Sequence, residues 1–117
     1  MITIKETKQK MTADKKWWKI HFYDFVDDFR FHKNLQAVSE PFPFDNDKFD
    51  ALLASTIETL CKELHLQTPD WTKNVPACAE PFFVAGFENL KATAIVESPL
   101  PFRIRKIFVT SSFLQRV

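Results

Sequence analysis

The chain has 117 residues, which suits one domain because two separate cores of half this size would bury too little surface to offset chain entropy. Its formal net charge of +1 gives no overall attraction for nucleic acid or anionic lipid. No stretch reaches the roughly 18 apolar residues of a membrane span, and the charged first residues lack the apolar core of a signal peptide. We therefore expect a cytoplasmic protein, with residues 1–12 as a flexible segment before a single helical domain at residues 13–117.

Glycine, proline and aromatic usage favours a mainly α fold. The only glycine is Gly86, so left-handed positions and glycine-built hairpin turns are scarce, which argues against an all-β protein. Seven prolines divide the chain into helix-length pieces. The sequence predicts a small helical bundle of three main helices, with short helices and one short extended segment near the C-terminus. Thirteen phenylalanines exceed what so short a chain readily buries, and rings left at the surface indicate a partner interface.

The first predicted helix begins at an Asp14 cap and runs to about Val38. Its buried stripe has helical spacing. The members are Trp18, Phe22, Phe25, Val26 and Phe29.

The second predicted helix follows the interruption at Pro41-Phe42-Pro43-Phe44. Asp45 is its predicted cap, and Phe44 and Phe49 have the spacing of a hydrophobic staple. An amphipathic pattern then continues to Leu64.

Shorter elements are predicted after the second helix. Thr68 as cap and Pro69 at the first helical position indicate a short helix that anchors Trp71. Gly86 precedes a third main helix at about residues 87–97, which Pro99 and Pro101 stop.

The C-terminal residues predict one extended piece and one helical turn. Ile104, Ile107, Phe108 and Val109 form a plausible strand. Thr110 is the predicted cap of a last short helix.

Four polar side chains on the first helix are candidate metal ligands of low rank. His21, Asp24, Asp28 and His32 follow at steps of three, four and four, which puts them on one helix face. Local Asp-His pairs on a solvated edge explain the pattern without a metal, because a bundle site needs ligands from a second helix. We expect neither a metal nor a cofactor.

The basic stretch near the C-terminus is the stronger candidate for binding. Arg103, Arg105 and Lys106 alternate with apolar residues and offer cations to phosphate or to a partner's carboxylates. A strand edge kept charged against aggregation gives the same pattern. The candidate partner-binding residues are Phe82, Phe83, Phe102, Arg103, Arg105 and Lys106.

No catalytic motif is recognisable. One glycine cannot build a phosphate-cradling loop, and no serine occupies a nucleophile elbow. Cys61 and Cys78 lack zinc-site spacing and are expected to be reduced, buried side chains. His65 near the end of the second helix suits a capping role.

The segment from Glu80 to Val117 includes Glu-Pro-Phe-Phe-Val-Ala-Gly-Phe-Glu-Asn-Leu-Lys-Ala and Glu-Ser-Pro-Leu-Pro-Phe-Arg-Ile-Arg-Lys-Ile-Phe-Val. It resembles an uncharacterised bacterial family of small proteins, similar to the C-terminal region of helix-turn-helix antitoxin-like proteins encoded beside nucleotidyltransferase-like toxins. Asp27–Arg30 and Pro69–Trp71 look like upstream markers of that family. The resemblance implies an antitoxin or accessory partner of a toxin, although the matching residues equally suit folding determinants. Too few residues precede the first helix for a helix-turn-helix.

Three functional hypotheses remain open. The leading one is a non-enzymatic module that binds another protein, for which a cognate toxin is one candidate. The alternative is a small nucleic-acid binder or toxin-like nuclease that uses the basic stretch. The third is a homodimer that buries the aromatic surface against a second copy.

Overall fold

The computed structural model describes residues 1–84 and 91–115, and the predicted mainly α fold is confirmed. About 60% of the protein is helical, and within the described residues strand is limited to one parallel pair. In the described ranges, no helix has the length and apolar content to cross a membrane. The helices are α1 (Ile4–Ala13), α2 (Trp18–His32), α3 (Asp47–Glu63), α4 (Lys91–Glu97) and α5 (Leu100–Arg103); the strands are β1 (Phe82–Phe83) and β2 (Ile107–Phe108); and 3-10 turns span Lys15–Trp17, Leu35–Val38 and Asp70–Asn74.

The N-terminal residues form α1, so the expected flexible segment at residues 1–12 is wrong. The Thr3 side chain accepts from the backbone N–H of Glu6, whose carboxylate accepts from the N–H of Thr3. This capping box satisfies two N–H groups that a helix start leaves open. Ile4 and Met11 on the inner side of α1 are fully buried in the core.

Helix α2 is shorter than the sequence predicts. It begins at Trp18 and ends at His32, where Lys33 enters the left-handed region and donates its N–H to the carbonyl of Phe29. Asn34 then caps a separate 3-10 turn, so the expected continuous helix from Asp14 to Val38 is wrong. The predicted stripe is nevertheless confirmed, since four of its members are buried and Trp18 packs against them.

Helix α3 is the central element and packs against α1, α5, β2 and the Asp70–Asn74 turn. Its start lies one residue beyond the prediction, because Asn46 rather than Asp45 accepts from the N–H of Phe49. The fully buried residues of α3 show that it is covered on several sides. They include Ala51, Leu52, Leu53, Ala54, Ile57, Leu60 and Cys61.

Left-handed backbone occurs without glycine. Lys33, His65 and Lys106 have φ angles of 52°, 57° and 62°. Lys33 and His65 each follow the end of a helix, a position that usually falls to glycine. Left-handed positions are thus few in the described residues, as expected, but residues with a β-carbon occupy these three.

The connection after α3 is anchored by a ring. Trp71 lies in the 3-10 turn and donates Nε1–H to the carbonyl of Val38 at 2.8 Å. Its indole meets the ring of Phe42 edge-on, with centroids 5.3 Å apart. The predicted anchoring role is confirmed, but the turn begins after Pro69 and Thr68 does not cap it.

The C-terminal part of the chain returns to residues 82–83, where β2 lies beside β1. β2 pairs in parallel with β1, with Phe82 opposite Ile107, which confirms the predicted extended segment. Turns replace the expected last helix after Thr110. Residues 91–97 of the predicted third helix are helical, and its first residues and Gly86 lie outside the described ranges.

Candidate functional site

His21 and His32 of α2 contact different carboxylates. His21 Nε2 lies 3.1 Å from Asp14 Oδ2, before α2 begins. His32 Nε2 lies 3.4 Å from Asp28 Oδ1, and the second oxygen of Asp28 accepts from the backbone N–H of Ile2 at 2.7 Å. Asp28 thus fixes the chain immediately before α1.

This arrangement does not make a metal centre. Within residues 1–84 and 91–115, no group of three or more histidine, cysteine, aspartate or glutamate side chains is placed to hold a metal ion. His21 and His32 lie about three turns apart along α2, and each already has a nearby carboxylate. The pair of Asp28 and His32 is one of the local Asp-His pairs expected from the sequence, whereas His21 pairs with Asp14, which lies outside the predicted set.

Arg105 points into the protein, so its prediction as a partner-binding residue is wrong. The residue is 5% exposed. Nη1 and Nη2 donate to the two carboxylate oxygens of Glu58 at 2.6 and 3.0 Å, and Nη2 also donates to the carbonyl of Thr72 at 2.8 Å. The carbonyl of Val75 receives Nε–H at 3.3 Å. A guanidinium can be buried here because a carboxylate balances its charge and main-chain oxygens take its remaining donors.

Phe102 is also unavailable to a partner. It is fully buried, and its ring meets that of Phe113 edge-on with centroids 6.1 Å apart. The single turn of α5 puts Phe102 on the inner side, facing α3. The prediction of Phe102 as a binding residue is therefore wrong.

Phe82 and Phe83 in β1 are half-buried. The ring of Phe83 stacks on Phe108 of β2 at a centroid distance of 5.0 Å. Lysine ammonium groups lie over both rings: Lys48 is 5.3 Å from the Phe82 centroid, and Lys91 is 5.2 Å from that of Phe83. These rings belong to the strand that forms the small sheet, and only part of their surface is accessible to a partner.

Arg103 and Lys106 are the two members of the basic stretch that reach the surface. Arg103 Nη2 donates to the carbonyls of Val96 and Ser98 at 2.9 and 3.1 Å, which holds the guanidinium against the end of α4. Lys106 follows in the left-handed conformation. The structure thus separates the predicted basic cluster into one internal and two external cations.

Four large aliphatic side chains close to these cations in the sequence are exposed, and we call them the α4–α5 surface. Val96 is 75% exposed, Leu100 66%, Ile104 61% and Ile95 48%. The sequence pattern predicted a strand at Ile104, so this surface was not predicted. The signal was the pair Pro99 and Pro101, which separates α4 from the single turn of α5, where Phe102 is buried while Leu100 and Arg103 are exposed.

A buried lysine was also missed. The side chains of Lys8 and Asp50 are each 3% exposed and form an ion pair between α1 and α3. Lys8 Nζ also donates to Asp45 Oδ1 at 2.7 Å and to the carbonyl of Pro43 at 2.8 Å. Burial raises the pKa of Asp50, while its hydrogen bonds with Lys8 and Asn46 act in the opposite direction. The cluster joins α1 to the start of α3 and to the segment before it.

The cysteines are free and buried, as the sequence predicts. Burial raises the pKa of both thiols to about 11. Both are therefore protonated at neutral pH, and a protonated thiol is a poor nucleophile.

Comparison with known proteins adds no relative. No family model, curated protein or solved structure matches this chain.

Proposed function

We propose that this chain is a non-enzymatic interaction module that binds a partner protein through the α4–α5 surface. The observation that carries the proposal is the exposure of four large aliphatic side chains within ten residues of sequence. Apolar side chains gathered at one place on a surface mark an interface more often than isolated ones do.

We further propose that the partner is the toxin of a bacterial toxin–antitoxin pair, with this chain as antitoxin or accessory protein. The support is the resemblance of residues 80–117 to the antitoxin-like family. The α4–α5 surface lies inside that same segment, so the part of the chain that carries the resemblance also carries the exposed aliphatic residues.

Co-expression with the product of the adjacent gene tests both parts. The wild-type chain is expected to co-purify with that product and to lower its toxicity, and the double variant Leu100→Asp/Ile104→Asp is expected to lose both effects. Phe31→Asp is the matched control, because Phe31 is 81% exposed on α2 and outside the surface. Absence of association by the wild type contradicts the toxin–antitoxin assignment. Normal association by the double variant contradicts the α4–α5 surface.

A further inference from the structure

Residues 110–115, which we call the C-terminal strap, lie across the fold as a series of turns. Their main-chain hydrogen bonds are local: the N–H of Phe113 donates to the carbonyl of Thr110, and that of Gln115 to the carbonyl of Ser112. In the described part of the chain, no hydrogen bond between main-chain groups ties the strap to a helix or to the small sheet. Side chains therefore hold the strap in place.

An aromatic seat between α2 and α5 receives the strap. The centroid of the Phe113 ring lies 5.4 Å from that of Phe22, 5.9 Å from that of Tyr23 and 6.1 Å from that of Phe102. Leu114, the next residue, is 9% exposed and belongs to the core. Since Phe22 and Phe102 come from different helices, the Phe113 ring bridges α2 and α5.

Two side chains of α2 donate to consecutive carbonyls of the strap. Tyr23 Oη donates to the carbonyl of Phe113, and Arg30 Nη1 donates to the carbonyl of Leu114, each at 2.5 Å. The seat therefore recognises an aromatic side chain, the aliphatic side chain after it, and the main chain that joins them.

Both donors are oriented by contacts that do not involve the strap. Arg30 Nε and Nη2 donate to the two carboxylate oxygens of Glu63 in α3, each at 2.9 Å. The ring of Tyr23 meets that of Phe22 edge-on, with centroids 5.2 Å apart. The same hydrogen bonds are thus offered to another segment once the strap leaves, and a preorganised site binds at a lower entropic cost.

The helices also pack together without the strap. α1 packs on α2 and α3, and α3 packs on α5. At the start of the strap, the N–H of Ser111 donates to Glu97 Oε1 at 3.0 Å, which is again a bond to a side chain. A terminal segment held in this way opens locally at a smaller cost than global unfolding.

We infer that the seat is a peptide-binding site, which the C-terminal strap of the same chain occupies and thereby inhibits. The strap shows the class of ligand: phenylalanine followed by a large aliphatic residue, with carbonyls that accept from Tyr23 and Arg30. A partner protein presents such a segment, adds contacts outside the seat, and displaces the strap. The seat shares no residue with the α4–α5 surface, so the inference does not rest on the function proposed above.

A second copy of the chain is a poorer occupant than a partner. Its strap has the same sequence, so exchange between two copies makes the same contacts and adds an entropic cost of association. A tethered segment also meets its seat at a high effective concentration, which favours the strap of the same molecule.

A labelled peptide with the sequence of residues 110–115, Thr-Ser-Ser-Phe-Leu-Gln, tests the site with the full chain. The double variant Phe113→Ala/Leu114→Ala weakens the strap and keeps Tyr23, Arg30 and the chain length. Fluorescence anisotropy is expected to show at least about tenfold tighter binding by this variant than by the wild type, because the tethered competitor is weakened. A twin peptide with alanine in place of phenylalanine is expected to bind neither protein.

Two further substitutions in the double variant locate the bound peptide. Arg30→Gln is expected to weaken peptide binding about tenfold, because the charged donor to the leucine carbonyl is lost. Lys33→Gln removes an exposed cation near the same end of α2 and is expected to leave the affinity unchanged.

Hydrogen exchange of the wild type tests the opening of the strap directly. The amides of residues 113 and 115 are expected to exchange at least about a hundredfold faster than those in the middle of α3, since local opening exposes them without global unfolding.

Four results overturn the inference. The first is a folded double variant that does not bind the peptide. The second is a double variant that circular dichroism shows to be unfolded, because the strap is then a fixed part of the core. The third is strap amides that exchange as slowly as those of α3. The fourth is a dimer of the wild type, seen by analytical ultracentrifugation, that Phe113→Ala dissociates. Co-purification that depends on Leu100 and Ile104 tests the proposed function separately.

Discussion

Arg105 and Glu58 meet through two parallel hydrogen bonds, Nη1 to Oε1 at 2.6 Å and Nη2 to Oε2 at 3.0 Å, although 47 residues separate them. The pair joins the turn after α5 to the middle of α3. The same guanidinium also donates to the carbonyls of Thr72 and Val75 at the Asp70–Asn74 turn. One side chain therefore connects three separate parts of the fold.

Replacement of Arg105 by leucine is expected to lower the free energy of unfolding by about 3–5 kcal/mol. The loss arises because Glu58 keeps a charge with no partner in a largely dry position. Urea denaturation followed by tryptophan fluorescence measures it. Lys73→Leu is the control, with an expected change within about 0.5 kcal/mol because Lys73 is exposed. Equal effects of the two substitutions would show that the Arg105 contacts contribute little.

Replacement of Lys8 by methionine is expected to loosen α1. Asp50 would then be buried without its counter-charge, at a cost of about 3–5 kcal/mol. Hydrogen exchange of the amides of residues 4–13 should accelerate more than exchange in α3. Lys10→Met, at an exposed position of the same helix, should leave the exchange rates unchanged. Adding Asp50→Leu to Lys8→Met should recover much of the loss, because the unpaired charge is then gone.

The stability of the protein should depend on pH through Asp50. Burial raises the pKa of this carboxyl above its usual 3.8 in the folded state. Its contribution to stability is therefore fully present below the unfolded pKa and is lost as pH rises through the folded pKa. The difference in unfolding free energy between wild type and Asp50→Asn should accordingly fall as pH increases from about 4.

Glu63 provides a control of opposite sign for this measurement. The hydrogen bond from Arg30 lowers the pKa of Glu63 below its usual 4.5. Its contribution is present above the unfolded pKa and is lost as pH falls through the folded pKa. Denaturant titrations of Glu63→Gln over the same pH series should give the reverse trend. Parallel trends for the two variants would contradict the burial effect at Asp50.

Cys61 and Cys78 should react slowly with alkylating reagents in the folded protein. With a thiol pKa of about 11, only about one group in a thousand is ionised at pH 8, and the thiolate is the reactive form. Mass spectrometry after iodoacetamide treatment should find little labelling in buffer and complete labelling in denaturant. Rapid native labelling of either cysteine would contradict its buried position.

The helices whose apolar residues have regular spacing could be predicted from the sequence. Phe22, Phe25 and Phe29 of α2 and the leucine-rich face of α3 could be placed in the core because periodicity reports burial directly. α1 was missed because it carries only Ile4 and Met11 as large apolar residues among many polar ones. The Thr3-x-x-Glu6 capping box was the local signal that could have revealed it.

The candidate site could be predicted only in part, since exposure in this region depends on contacts remote in sequence. The alternation of basic and apolar residues predicted that Arg103 and Arg105 are both partner-binding residues. Glu58 and the carbonyl of Thr72 draw Arg105 inward, and no pattern within residues 100–109 encodes those partners. Leu100 and Ile104 are exposed because they begin and cap the single turn of α5, whose inner side is taken by Phe102.

The left-handed residues Lys33 and His65, at the ends of α2 and α3, are positions where substitution should raise the stability of the protein. A side chain with a β-carbon costs free energy in that conformation, and glycine does not. Lys33→Gly and His65→Gly should therefore raise the melting temperature, each by the equivalent of up to about 1 kcal/mol, in a thermal scan. The natural chain thus forgoes thermostability at two helix ends, and an engineer could recover it without altering the core or the α4–α5 surface.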